Sequence, residues 1–385
     1  MQGEKLTFRE KILKHRLTKI YRVILCAVLV ITVIAVVRVQ IENKVYTDYR
    51  VTKSAGAIGS SDSVIQAYNG NLLSYSRDGI SAYNGSGEQL WNQTYEMQDP
   101  IVDVAGEYVV VGDYKGNTIY VMNASGPSGQ INTNMVITNL KISEKGIVTA
   151  MLDGSNVIWI EIYDSAGNNI VSERTSMNQT GFPVNTSMSA DNQKMAVSYL
   201  KAEGNGIKTS IAFYNFGDVG QNVVDKVVSG YDYDDMIIPF LQYFNNDVAV
   251  AVGENRLLVF SGKQIPELRA ETEIEENVES VFWGDSSVAL VYRNDEGEDR
   301  YRLDVYNLSA ELVLSQTFDL EYSNIVLHNG NIIIYNEANV YIWNKKGLEK
   351  YNGDLGGNIR AVIPTKSKTK FIVVRNEGLE TIKLK

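Results

Sequence analysis

The pattern of hydrophobic and polar positions divides the chain into two unlike parts near Thr47. Before that point lies Val23–Val37 (VILCAVLVITVIAVV), fifteen uncharged residues with no polar face. With Ile20, Tyr21 and Val39 the run reaches about 18–20 residues, close to 30 Å of helix, enough to cross hydrocarbon if Arg22 and Arg38 snorkel. A core helix would show a polar stripe, and this run shows none. Beyond Thr47 short runs of Val, Ile, Tyr and Trp alternate with Asn, Asp, Gly and Ser clusters, and no long stretch follows a 3.6-residue period. The first part predicts one helix, and the second predicts strands and turns.

One unit recurs in the second part. It consists of an apolar strand, a polar turn, a second strand ending in an aromatic or apolar residue, and then a polar turn that is often Asn/Asp-x-x-Gly. Its copies begin at Leu72, Val109, Val148, Met195, Val248, Val288, Ile332 and Phe371, at spacings of 37, 39, 47, 53, 40, 44 and 39 residues. The average of about 43 is the length of one four-stranded propeller blade and exceeds the 34 residues of a tetratricopeptide helix pair. Asn and Asp favour the tight turns, and Gly three positions on supplies positive φ. The aromatic before that turn is expected to pack between neighbouring blades. The eighth copy stops before an outer strand, and an unpaired sheet edge exposes backbone donors and acceptors. Val45–Lys53 (VYTDYRVTK) reads as a strand placed to complete it. The predicted fold is therefore all-β, an eight-bladed propeller behind one N-terminal transmembrane helix, with seven blades as the alternative. The divisions are a basic tail over 1–22, an anchor over 23–39, a linker with the closing strand over 40–61, and the propeller over 62–385.

Charge fixes the sidedness. Residues 1–22 carry seven Lys and Arg against Glu4 and Glu10, a net of +5, so the remainder of a chain whose net charge is -10 carries -15. The basic flank stays in the cytoplasm, which predicts a cell-membrane protein with its propeller outside the cell. Ile34–Arg38 supplies no small-x-small cleavage site. Cys26 opens the apolar run instead of closing it, against a lipoprotein signal, so the segment reads as an uncleaved anchor. The acidic balance argues against nucleic acid. A single Cys excludes a disulfide framework, and one Cys with His15 and His328 cannot build a Cys/His zinc site.

The Tyr-Asn-x-x-Gly-x-x-Leu-Trp pattern of Ala82–Trp91 (AYNGSGEQLW) resembles the quinoprotein-like propeller repeat, the superfamily of the BamB assembly scaffold and the pyrroloquinoline-quinone dehydrogenases. Only the first copy carries the full Gly…Leu-Trp ending. The whole layout also resembles a membrane-anchored family of Gram-positive bacteria that bears only a domain-of-unknown-function label, which implies fold and location. The dehydrogenase branch uses adjacent cysteines, and no Cys lies beyond Cys26, so that activity and its quinone are not implied. Scaffolding needs no catalytic residue and is compatible with the resemblance.

Candidate chemistry is sparse. Tyr231–Asp235 (YDYDD) brings Asp232, Asp234 and Asp235 close together, a weak candidate for Ca²⁺ within a loop expected to be solvated, without the EF-hand spacing. Glu271–Glu279 (ETEIEENVE) alternates as an exposed outer strand would, and Asp295, Glu296, Glu298 and Asp299 sit at a hairpin tip. His328, in a turn before Asn329-Gly330, is the one His outside the tail and so the one available general base of that type. Six Asn-x-Ser/Thr triplets occur, and those at Asn84, Asn123 and Asn307 fall on repeat turns that want Asn for its backbone geometry. No Gly-rich phosphate loop precedes a helix. The leading expectation is a non-catalytic binding or scaffolding module for an envelope protein, held by membrane lipid and without cofactor. The alternative is a glycan hydrolase using paired carboxylates in the propeller funnel. The long fourth unit, Lys201–Gly206 with Val219–Asp235, is the expected partner-contacting insertion.

Overall fold

A computed structural model describes residues 8–155, 157–175, 180–204, 206–234, 236–274, 276–294 and 297–385, with the backbone alone for 8–18. Helix α1 runs Phe8–Glu42, 35 residues. Neither Gly nor Pro falls within it, so nothing interrupts the backbone ladder where the basic tail meets the apolar run, and the two form one helix. Its segment Lys19–Glu42 is long and apolar enough to cross a membrane, with a mean hydropathy of 2.8 and none of it packed inside the protein.

Eight antiparallel four-stranded sheets follow. Blades 1 to 7 span 64–94, 100–132, 136–174, 182–234, 240–273, 278–318 and 324–354, each built from consecutive strands. Blade 8 takes three strands from 359–384 and its outer strand, Tyr49–Gly56, from the other side of the chain. That strand pairs antiparallel with Gly378–Leu384, from Tyr49 opposite Leu384 to Gly56 opposite Gly378, with a bulge between Val51 and Lys53. Thr52 Oγ1 donates to the Thr381 carbonyl at 2.9 Å, and Asp48 meets the Lys385 ammonium at 2.9 Å. The closing strand thus begins four residues later than its sequence suggests. Val45–Asp48 is occupied otherwise: Tyr46 is buried in the core of blades 7 and 8, and its N–H donates to the Lys350 carbonyl at 2.8 Å.

The hydrophobic pattern fades outward within each blade for a physical reason. Second strands such as Val148–Asp153 and Ser287–Arg293 are buried almost throughout, because both faces of a blade pack on neighbouring blades. Outer strands such as Glu267–Glu273 alternate strictly between exposed and half-buried. The side chain near the end of each third strand, an aromatic in six blades, Met122 in blade 2 and Leu384 in blade 8, fills the gap to the preceding blade. Tyr163 packs with Val110 and Ile119, Tyr306 with Val250 and Leu290, and Trp343 with Leu303 and Phe318.

The turns that follow in blades 1, 2 and 6 are each held by an Asn side chain. Asn84 Oδ1 accepts the N–H groups of Ser86 and Glu88 at 2.9 and 3.1 Å, and Asn307 Oδ1 those of Ser309 and Glu311 at 2.8 and 3.1 Å. Asn123 Oδ1 accepts from Ser125 at 2.8 Å. These three Asn side chains are therefore turn-forming groups, as their positions suggest. Gly87 closes the first such turn at φ 79°, while Ala310 takes φ 58° at the matching place in blade 6.

Candidate functional site

A propeller has two faces, and here the helix marks one of them. Turns joining first to second and third to fourth strands lie on that near face; turns joining second to third strands, and the crossovers between blades, lie on the far face. The end of α1 is fixed to the near face at blade 7. The Lys350 ammonium donates to the Glu42 carbonyl at 2.7 Å and to that of Ile41 at 3.4 Å, satisfying carbonyls that the helix itself leaves free. Lys346 approaches the Glu42 carboxylate at 3.6 Å. Burial pulls the Lys350 ammonium below its ordinary range; Glu42 opposes that shift, and Lys368 adds to it.

The central channel opens on the near face through a cavity of about 290 Å³, formed where the inner strands of blades 2 to 5 end. Besides Glu144, in the turn after the inner strand of blade 3, Asp103 is the carboxylate of this lining. It pairs with Lys141 at 3.3 Å and accepts the Ile142 N–H at 2.8 Å. Glu279, on the inner strand of blade 6, lies 3.8 Å from Arg293. Asp103 and Glu279 are each engaged by a cation, whereas glycoside cleavage needs a carboxyl pair held across a bond. His328 sits at the groove between blades 6 and 7, with Nδ1 3.1 Å from Asp285 Oδ1. Asp285 Oδ2 also accepts the Asn329 N–H at 2.8 Å, so this contact ties the turns of two blades together.

The acidic clusters resolve differently. Val227–Asp234 is the outer strand of blade 4, not a loop. Tyr231 and Tyr233 turn inward onto the core shared with blade 5, which leaves Asp232 and Asp234 exposed on the opposite side; Asp235 lies outside the described residues. Asp232 accepts from Ser210 Oγ at 2.6 Å and pairs with Lys208 at 3.2 Å. The Ser210 hydroxyl, and after it Lys208, hold its carboxyl below the usual range. Among the described residues no group of three or more His, Cys, Asp or Glu is arranged to hold a metal ion. Glu271 and Glu273 lie on the outer strand of blade 5, but Glu279 belongs to the next inner strand, so the acidic run bridges two blades. Glu298 and Asp299 occupy the far-face hairpin of blade 6, and Asp295 and Glu296 lie outside the described residues.

The far face carries what the motifs did not announce. A cleft of about 510 Å³ between blades 3 and 4 is lined mainly by Tyr114, Val136, Met151, Phe182, Pro183 and Val184, with Lys115, Thr138, Asn139 and Asp153 as its polar members. Tyr114 and Phe182 are 39% and 41% exposed, the Tyr114 ring beneath the Lys115 ammonium at 5.3 Å, and Phe240 stands exposed at the start of blade 5. Beside the cleft, Lys194–Glu203 and Gly206–Asn215 form the longest hairpin of the ring, pairing from Lys194 opposite Asn215 to Glu203 opposite Gly206. This places Lys201–Glu203 next to the apolar cleft, whereas Val219–Lys226, in the turn from the third to the fourth strand of blade 4, lies on the near face. Phe182 and Tyr114 are single residues at strand ends separated by 68 positions, so only the closed ring brings them together.

A model of a family of unknown function, DUF5711, matches residues 42–384. The chain belongs to the DUF5711 family. That match covers the propeller and leaves most of α1 outside it. No curated protein matches the chain. Among solved structures, a eukaryotic initiation factor is similar at 12% identity and a TM-score of 0.50, over 86% of this DUF5711 chain and 87% of that one. BamB from Moraxella catarrhalis is similar at 14% identity and 0.49, over 88% and 100%. Hydrazine synthase of Kuenenia stuttgartiensis is similar at 12% and 0.49, over 78% and 97%. At such identities the likeness is one of fold, the β-propeller.

Proposed function

We propose that this DUF5711 chain is a single-pass membrane protein whose propeller stands outside the cell and binds an envelope protein without chemistry of its own. The observation that carries this reading is the apolar cleft on the face turned away from the helix end. Exposed Tyr and Phe around a concave apolar surface, flanked by a projecting hairpin, have the make-up of an interface centre. The helix supports the anchored part of the reading through its length and hydropathy, and the +5 balance of residues 1–22 supports an inward N-terminus. Propellers as scaffolds present such faces rigidly, and BamB-like folds agree with a binding role.

The test is photo-crosslinking of the full chain in its native membrane from positions 114 and 182, with position 298 on the same face, away from the cleft, as reference. A protein captured from the two cleft positions and not from 298 supports the reading, and Phe182→Ser should abolish that capture. Capture of glycan alone, or equal capture at all three positions, overturns it.

A further inference from the structure

The near face has an uneven charge that neither the fold nor the proposed partner site uses. Residues 324–385, which form blade 7 and three strands of blade 8, carry ten Lys and Arg against five Asp and Glu, a net of +5, whereas residues 23–323 carry a net of -20. The surplus is concentrated in the near-face turns. Lys345 and Lys346 occupy the turn of blade 7, and Lys366 and Lys368 the turn Thr365–Thr369 of blade 8, all four exposed. Among the described residues, Lys345, Lys366 and Lys368 form no ion pair, and Lys346 has the one contact to Glu42.

These turns surround the place where α1 is pinned. A cavity of about 90 Å³ at the junction is bordered by Ile41, Glu42 and Tyr46 on the helix side and by Lys345, Lys346, Lys350 and Lys368 on the propeller side. The Lys350 ammonium is already committed to the helix carbonyls, so the other ammonium groups face the space beside the helix. Since Glu42 closes the apolar span, whatever lies beside it is the headgroup layer of the leaflet that the helix leaves. Uncompensated cations held at that level need anions, and an anionic leaflet supplies them at high local density.

We propose that the Lys345, Lys346, Lys366 and Lys368 sector binds the phosphodiester headgroups of anionic lipid around the anchor. The proposal rests on the membrane-anchored reading above. It accounts for the location of the surplus, which lies where the ring meets the end of the helix, whereas lysines elsewhere on the ring meet its carboxylates, as Lys141 meets Asp103 and Lys208 meets Asp232.

The test places the full chain in nanodiscs of phosphatidylcholine alone or mixed with phosphatidylglycerol, and measures lysine acetylation rates by mass spectrometry. Lys115 and Lys201 on the far face serve as internal references. The four sector lysines should be acetylated about fivefold or more slowly in the mixed discs, with the references unchanged. The variant K345Q/K346Q/K366Q/K368Q should keep its melting temperature and lose the enrichment of phosphatidylglycerol retained around the chain. Equal acetylation in both discs overturns the proposal. So does equal protection in phosphatidylcholine discs by added glycerol phosphate, which would make the ligand a soluble phosphodiester. Failure of the chain to stay with either disc overturns the anchored reading itself, and is seen separately as loss of co-elution.

Discussion

Lysine is used in two opposite ways on the near face. At the junction of blades 4 and 5, Lys194 is fully buried, donating to the Lys263 carbonyl at 2.9 Å and lying 3.5 and 3.8 Å from Asp191 and Asp247. The same junction is stapled by Asn215 to the Gln264 carbonyl at 2.8 Å and by Ser198 to the Ile238 carbonyl at 2.6 Å. At blades 7 and 8 Lys345, Lys346, Lys366 and Lys368 stand in solvent, and among the described residues only Lys346 has a counter-ion. The first arrangement holds two blades together, and its charge is spent within the fold. The second leaves charge over, and only charge left over is available to something outside the molecule.

The contrast is sharpest in stability. Lys194→Met should destabilise the protein by about 3 kcal/mol, the low end for breaking a buried pair, because Asp191 and Asp247 keep some solvent. Denaturant melts of the full chain in detergent measure this. A cost under about 1 kcal/mol would erase the distinction between the two regions. Lys350→Ala stands between the extremes. It removes charged hydrogen bonds worth about 1.5–3 kcal/mol from the helix end, so amide exchange over Ile41–Tyr46 should quicken by about tenfold or more while the global melt changes less. Lys345→Gln and Lys368→Gln should each alter stability by no more than about 0.5 kcal/mol, as solvated surface changes do.

The smallest effect concerns Asp232, an exposed carboxylate whose partners are local. Its folded pKa lies below its unfolded value, so its contribution is present above the unfolded pKa and is lost as pH falls through the folded one. NMR titration should find its midpoint below the ordinary Asp range, and Ser210→Ala should raise it. A midpoint unmoved by that substitution would remove the Ser210 hydroxyl as the main cause.

What could be read beforehand follows the burial gradient across each blade. Second and third strands are apolar on both faces or end in an inter-blade aromatic, so eight copies could be counted from runs such as Val248–Val252 and Asn339–Asn344. Outer strands bury only every other residue, which is why Tyr231–Asp234 reads as a solvated loop until its Tyr side chains are seen to turn inward. The start of the closing strand shifted for a similar reason. Tyr46 is apolar because it packs at the helix junction, not because it pairs in the sheet. The far-face cleft draws on residues from three blades, so no local pattern announces it. The near-face lysines were visible as Lys345-Lys346 and Lys366-Ser-Lys368, but their meaning depends on their lying beside the end of α1.

The shared eighth blade also has a consequence for biosynthesis. A ribosome delivers Tyr49–Gly56 early and its partner Gly378–Leu384 about 320 residues later. At roughly 5–20 residues per second this first strand waits on the order of 16–65 s with no sheet to join. During that interval its edge is open to pairing with another chain. The sequence of the strand, YRVTKSAG, suits that wait: it carries Arg50 and Lys53, ends in small residues, and has Val51 as its one aliphatic residue larger than Ala. The ring therefore assembles around a latch that is made first, kept soluble, and used last.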